Sequence, residues 1–170
     1  MPNARRPTAL LPFVLTAILA SCAGGRSEAG RPAPTAADRI ELARGPCFGA
    51  CPIYSLTVWG DGRVRFVGER FVEETGERTR TIDPLQAVAL FAHADSIGFF
   101  AMPADITPAN EAACGGAWTD MPSAQVTVRW ADRDHAVNDY HGCPKAPASL
   151  RAFEQRIDAV AGVADWVGQR

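Results

Sequence analysis

The run Ile53-Tyr54-Ser55-Leu56-Thr57-Val58-Trp59, the triplet Gly60-Asp61-Gly62 and the return Arg63-Val64-Arg65-Phe66-Val67 leave this chain few ways to fold. Tyr54, Leu56 and Val58 recur at every second position, and so do Val64 and Phe66. A period of two sets these side chains on one face of an extended strand and the arginines on the other. Gly60-Asp61-Gly62 tolerates the positive φ of a tight hairpin turn. A hairpin with one apolar face has to bury that face against another layer.

The pattern recurs on both sides. Arg39-Ile40-Glu41-Leu42-Ala43-Arg44 alternates and stops at Gly45-Pro46. Phe71-Val72 and residues 78–82 add a further strand or paired ribbon. Ala124, Val126, Val128 and Trp130 alternate with Gln125, Thr127 and Arg129, the chain turns through residues 131–134, and His135 to Tyr140 returns. Asp83-Pro84 predicts a helix start, with Asp capping the orphan amides and Pro at the first helical position. Leu85, Val88, Phe91 and Ala92 line its expected apolar face, and it fades at Ile97-Gly98. A second helix is expected over residues 147–167, with Leu150, Phe153, Ile157, Val160, Ala164 and Val167 at helical spacing. Residues 101–122, rich in Pro and Gly, read as one long loop. Short connections within hairpins require antiparallel pairing. The expected fold over residues 38–170 is therefore one α+β domain: a single antiparallel β-sheet built from hairpins, with two α-helices packed on one face.

The N-terminus addresses compartment rather than fold. Arg5 and Arg6 precede an almost wholly apolar run from Ala9 to Ala20, and Leu19-Ala20-Ser21-Cys22 follows. A basic start, a short apolar block and small residues before a cleavage point describe a secretory signal over residues 1–21. The block falls short of the roughly 20 residues that span a bilayer. Leu-Ala-Ser-Cys resembles the bacterial lipobox, which implies acylation of Cys22 as the first mature residue. Two or more acyl chains anchor stably where one is marginal. Ala23 in place of Asp implies, by the same resemblance, sorting to the outer membrane, facing the periplasm. Residues 22–37 then serve as a lipidated flexible tether of Ala, Gly and Pro. Removing residues 1–21 leaves 15 basic against 19 acidic residues, a net charge of −4 that argues against a nucleic-acid partner.

Four cysteines remain in the mature domain: Cys47, Cys51, Cys114 and Cys143. An even number in an oxidising compartment points to two disulfides, and three connectivities are open on the residues alone. A zinc site built on the four thiols is the sharper alternative, but Cys114 and Cys143 are not a close second pair of the kind structural zinc sites use. Cys47-Phe48-Gly49-Ala50-Cys51-Pro52 also resembles the loop of copper chaperones of the SCO type, which implies Cu(I) on Cys47, Cys51 and one of His135 or His141. Soft thiolates do select Cu(I). Here, however, the loop enters a β-hairpin, whereas the copper chaperones and redox dithiols set the loop before a helix that lowers a thiol pKa.

Residues 44–68, RGPCFGACPIYSLTVWGDGRVRFVG, resemble the DUF6438 family of small bacterial proteins of unknown function. Thr119-Asp120-Met121-Pro122 ahead of a strand and the closing amphipathic helix extend the resemblance over most of residues 40–167. In that family pattern the Cys-x-x-x-Cys pair is intrinsic and Cys114 and Cys143 are additions. The resemblance thus implies the pairing Cys47–Cys51 and Cys114–Cys143, and it implies no activity.

Among other chemistry-bearing residues, Asp139, Tyr140 and His141 lie together at a strand end, and Asp120 is placed to approach them. A carboxylate orienting a histidine is how general bases are built, although the same residues also satisfy loop amides at a sheet edge. His93 reads as a helix-face histidine, and Trp59, Trp118, Trp130 and Trp166 as core and sheet residues. No serine elbow, phosphate loop or metalloprotease helix motif occurs. Two function classes follow. The first is a non-catalytic envelope lipoprotein without a cofactor, anchored to the membrane through its N-terminal lipid, that binds an envelope protein or surface component. The second is a thiol-dependent copper or redox protein working through Cys47 and Cys51.

Overall fold

A computed structural model describes Met1 and residues 31–168 of the chain. The expected signal segment beyond Met1, the expected lipidation site Cys22 and the expected tether up to residue 30 lie outside the described residues. From Pro32 the chain belongs to the folded domain. Pro32 accepts a hydrogen bond from the Trp130 indole at 3.0 Å, and the Asp38 carboxylate accepts one from Ala131 N at 2.7 Å. The last residues of the expected tether are thereby fastened to the sheet.

The strands are β1 (Arg39–Arg44), β2 (Ile53–Trp59), β3 (Arg63–Arg70), β4 (Gly76–Thr81), β5 (Asp105–Ile106), β6 (Ser123–Trp130) and β7 (Arg133–Tyr140). They form one seven-stranded sheet in the order β4-β3-β2-β1-β6-β7-β5. The register aligns the alternating apolar residues: Ile40 lies opposite Val58 and Val128, and Leu42 opposite Leu56 and Val126. Val64 and Phe66 extend the same row on β3. All of these are buried, while Arg65, Gln125 and Asn138 are exposed. The sheet is therefore two-faced, as the period-two pattern requires.

The sheet is mixed, which corrects the expectation of a purely antiparallel one. Beyond residue 98 the chain runs along the outer edge of β7 in the direction of β7 itself, and β5 pairs with it in parallel through Asp105–Asn138 and Ile106–Asp139. Asn138 N also donates to Ala104 O at 2.9 Å. An element of two residues leaves no periodic signature, so residues 101–122 read as loop. The same stretch holds a one-turn helix, α2 (Glu111–Cys114), capped by the Asn110 side chain.

Helix α1 (Pro84–Ser96) begins as expected, with the Asp83 carboxylate accepting from Leu85 N at 2.9 Å. Its buried face is Ala87, Leu90, Phe91 and Ala94. Leu85 is 74% exposed, contrary to its expected inward position. Six residues separate it from Phe91, which is about 240° around an α-helix. The expected closing helix is two: α3 (Ala148–Ala161) stops at Gly162, whose φ of 65° is left-handed, and α4 (Ala164–Val167) follows. Leu150, Phe153, Ile157 and Ala161 of α3 join the same core as the apolar row of the sheet and the buried face of α1. Within it Phe153 meets Phe99 at 5.9 Å and Phe91 meets Trp130 at 5.7 Å, both edge-on. No helix among the described residues is long and apolar enough to cross a membrane.

The strands give the domain two unlike ends. At one end lie Asp38, the β2–β3 turn and the β6–β7 turn, joined by bonds such as Gly60 N to Asp38 O at 3.0 Å. Gly62 is required there, because its φ is 88° and an added Cβ would meet Ile82 O. At the other end, about 20 Å away along six residues of strand, lie the 45–52 loop, the start of β6 and the end of β7.

Candidate functional site

Both disulfides sit at this second end. Cys47 is bonded to Cys51 and Cys114 to Cys143, with Cα separations of 5.7 and 4.5 Å. The first bracket presents Phe48, which is 86% exposed, at its tip. Phe48 N donates to Asp120 O at 3.2 Å, and Gly45 N donates to Ser123 O at 2.8 Å, so the loop is laid against the approach to β6. The second bridge joins the end of α2 to the segment after β7. Trp118 N donates to Gly142 O at 3.0 Å, and a Cβ at Gly142 would strike Trp118 O and the Tyr140 ring. Trp118 is 72% exposed and Met121 is partly so. Trp118, expected among the core and sheet residues, stands instead on the surface beside the stapled loops.

Beneath these loops lies a network of charged side chains. Arg44, at the end of β1, donates to Glu154 Oε2 at 2.6 Å and to Asp158 Oδ2 at 2.7 Å. The Tyr54 hydroxyl donates to Asp158 Oδ1 at 2.8 Å. His141 Nε2 lies 3.0 Å from Glu154 Oε2 and 3.7 Å from Asp139 Oδ2. Arg151 donates to Asp139 Oδ2 at 3.1 Å and to Cys143 O at 2.9 Å. Asp139 and Glu154 are each 1% exposed. One oxygen of each, Asp139 Oδ1 and Glu154 Oε1, has no hydrogen-bond partner among the described residues.

The electrostatics follow from burial. Burial raises the Asp139 carboxyl above its ordinary range, against the opposing pull of Arg151. Burial likewise raises Asp158, although Arg44 and Tyr54 favour its charged form. Burial alone would lower the guanidinium of Arg44, but Asp158 and Glu154 hold it above its usual value. The Tyr54 phenol is pushed up by burial and by the Asp158 carboxylate.

A pocket of about 190 Å³ opens beside the network, lined by Arg44, Gly45, Cys51, Pro52, Tyr54, Pro122, Ser123 and His141. It brings the Cys47–Cys51 bracket and His141 onto one site. His135 is elsewhere: Nε2 lies 2.9 Å from Met102 O and the ring meets Phe99 edge-on at 5.5 Å, near the start of β7. Among the expected polar residues, Asp139 and His141 meet. Tyr140 points the other way and accepts a hydrogen bond from Met121 N at 3.2 Å. Asp120 is exposed, accepts from the Thr119 hydroxyl at 3.1 Å, and reaches the loop only through its backbone. His93 packs on the Phe153 ring at 5.6 Å.

Arg44, Tyr54, Arg151, Glu154 and Asp158 are not among the expected site residues, although Tyr54 is expected on the inward face of its strand. A signal existed for two of them. Glu154 and Asp158 are four residues apart and share the face that carries Leu150 and Ile157, where an acid has to find a partner.

Comparison of the chain with curated proteins found no match. The family model for a domain of unknown function, DUF6438, matches residues 38–161, which takes in β1 through α3 and every residue of the network. The chain belongs to the DUF6438 family.

Proposed function

We propose that this chain is an exported bacterial lipoprotein, acylated on Cys22 and held at the periplasmic face of the outer membrane, whose domain is a non-catalytic binding module. In this reading its two longer helices cover one face of the sheet, and its stapled end meets an envelope protein or surface component. One observation carries the proposal, the unlike ends of the sheet. The chain reaches the sheet at the Asp38 end. The opposite end holds two disulfides, exposed Phe48, Trp118 and Met121, and the pocket beside His141. That opposite end, remote from where the chain enters β1, is the one this reading assigns to a partner. Exposed aromatics on loops fixed by cross-links lose little entropy on binding, which is the physical basis of a preorganised contact surface.

The experiment replaces Cys22 with Ala in the full chain and follows it by fractionation, with a photo-crosslinking residue placed at Phe48 or, as control, at Asp132. The expected result is membrane-bound wild type, a released Cys22→Ala domain, and adducts from position 48 alone. A variant that stays membrane-bound, or equal adducts from both positions, would overturn it.

A second reading has one observation in its favour: Cys51 and His141 line the same pocket. A thiol-dependent copper or redox protein would use them together. Counting free thiols before and after mild reductant separates the two, because the binding reading expects none before reduction and a bracket that resists mild reductant.

A further inference from the structure

We infer that Asp139, His141 and Glu154 form a binding site for a divalent transition-metal ion, with zinc the ion their donors suit. Each offers a ligand atom, one imidazole nitrogen and two carboxylate oxygens, and the three atoms lie within 4.8 Å of one another. Zinc is bound by such mixed nitrogen and oxygen sets, and its open sites, known from catalytic zinc, use three protein ligands with water in the fourth position.

Three features of the network point to a cation. Asp139 and Glu154 are each 1% exposed, yet Asp139 Oδ1 and Glu154 Oε1 have no hydrogen-bond partner among the described residues. Buried carboxylate oxygens are stable only with a donor or a metal to meet them. The partners that do exist occupy one oxygen of each group: Arg151 takes Asp139 Oδ2 and Arg44 takes Glu154 Oε2. His141 Nε2 lies against those same two oxygens, 3.0 Å from Glu154 Oε2 and 3.7 Å from Asp139 Oδ2, so an ion there would meet carboxylates that outer hydrogen bonds already orient, as ligating carboxylates commonly are. Charge is the third feature. Asp139, Glu154 and Asp158 are three carboxylates served by the two guanidiniums Arg44 and Arg151, since Arg44 is shared between Glu154 and Asp158. With the three carboxylates ionised and His141 neutral, as metal ligands must be, one negative charge remains for a further cation.

Binding would exchange the His141–Glu154 hydrogen bond at 3.0 Å for bonds to the ion. Of the three ligands, His141 also lines the 190 Å³ pocket. This deepens the binding-module reading and rests on it only in taking the stapled end as the working end. The ligands exclude both cysteines, which separates this site from the copper reading.

The test uses the full chain stripped of metal with chelator. Titration with zinc should show one ion per chain and a raised unfolding temperature. His141→Gln and Glu154→Gln should each weaken binding at least tenfold, as loss of one of three ligands requires, whereas the Cys47→Ala/Cys51→Ala double variant should bind as wild type does. Cobalt bound to the wild-type chain should give visible ligand-field bands without a sulfur charge-transfer band, a readout that does not depend on any variant folding. Failure of the wild type to bind zinc at millimolar concentration, undiminished affinity in His141→Gln, or a sulfur-to-cobalt band would overturn the site. None of those outcomes bears on Cys22 acylation, so failure here is distinguishable from failure of the lipoprotein reading.

Discussion

Removing the Cys114–Cys143 bridge should cost the domain more stability than removing Cys47–Cys51. The bridges span sequence separations of 29 and 4 residues. In the chain-entropy account, a closed loop of about 30 residues restricts the unfolded state by about 3.6 kcal/mol at 25 °C, and one of about five residues by about 2 kcal/mol. Packing widens the gap. Cys114 and Cys143 are 1% and 0% exposed and belong to the core, so Cys114→Ala/Cys143→Ala also empties the space of two sulfur atoms. Cys47 and Cys51 are partly exposed and leave little void. The assay is urea unfolding of the two double-alanine variants against the oxidised wild type. With a slope of about 2 kcal/mol per molar urea, the midpoint should fall by about 2 M for the buried bridge and about 1 M for the bracket. Equal shifts, or a larger one for Cys47→Ala/Cys51→Ala, would refute the reasoning and give the bracket a role that loop entropy does not supply.

Arg44→Ala should destabilise by about 3 kcal/mol, because it takes the guanidinium from the buried Glu154 carboxylate and from Asp158 and leaves them only His141 and the Tyr54 hydroxyl; a loss below 1 kcal/mol in thermal unfolding would show the pair to be dispensable. Phe153→Ala should cost about 3–5 kcal/mol, since Phe153 is fully buried against Phe99 and His93, and a denaturant midpoint close to wild type would contradict that. Asp83→Ala should cost about 1 kcal/mol by leaving Leu85 N without its acceptor, and calorimetry with no measurable change would remove the cap from the account. Ultraviolet titration should reveal a phenol ionising above the usual range that disappears in Tyr54→Phe. The raised folded value means that this tyrosine favours folding below about pH 10, where phenols normally titrate, and that its contribution is lost as pH rises through the folded value. A single tyrosine phase near pH 10 in the still-folded protein would refute it.

The hairpins were legible because their signal is local and periodic. Ile40 to Val128 fall into register through alternation alone, and Asp83 announces its helix by chemistry that acts within three residues. The parallel edge was illegible for the opposite reason: β5 is two residues long, and its pairing depends on where α1 delivers the chain. The site was half legible. Asp139 and His141 stand two residues apart and could be named together. Their partners Glu154, Arg151 and Arg44 come from α3 and β1, and the contact between Arg44 and Glu154 spans 110 residues. Leu85 misled because it stands about 240° around the helix from Phe91, on the solvent side, and Trp118 because an aromatic side chain carries no mark of which surface it is on.

The most direct measurement is the intact mass of the full-length gene product, extracted from membranes and alkylated without reduction. The expected product is a chain beginning at Cys22, heavier by a diacylglycerol and an acyl group, and with no alkylated thiol at Cys47, Cys51, Cys114 or Cys143. A chain that retains residues 1–21 or carries an unmodified Cys22 would contradict the anchored reading. Alkylation at Cys47 and Cys51 would contradict the staple and turn the account toward thiol chemistry.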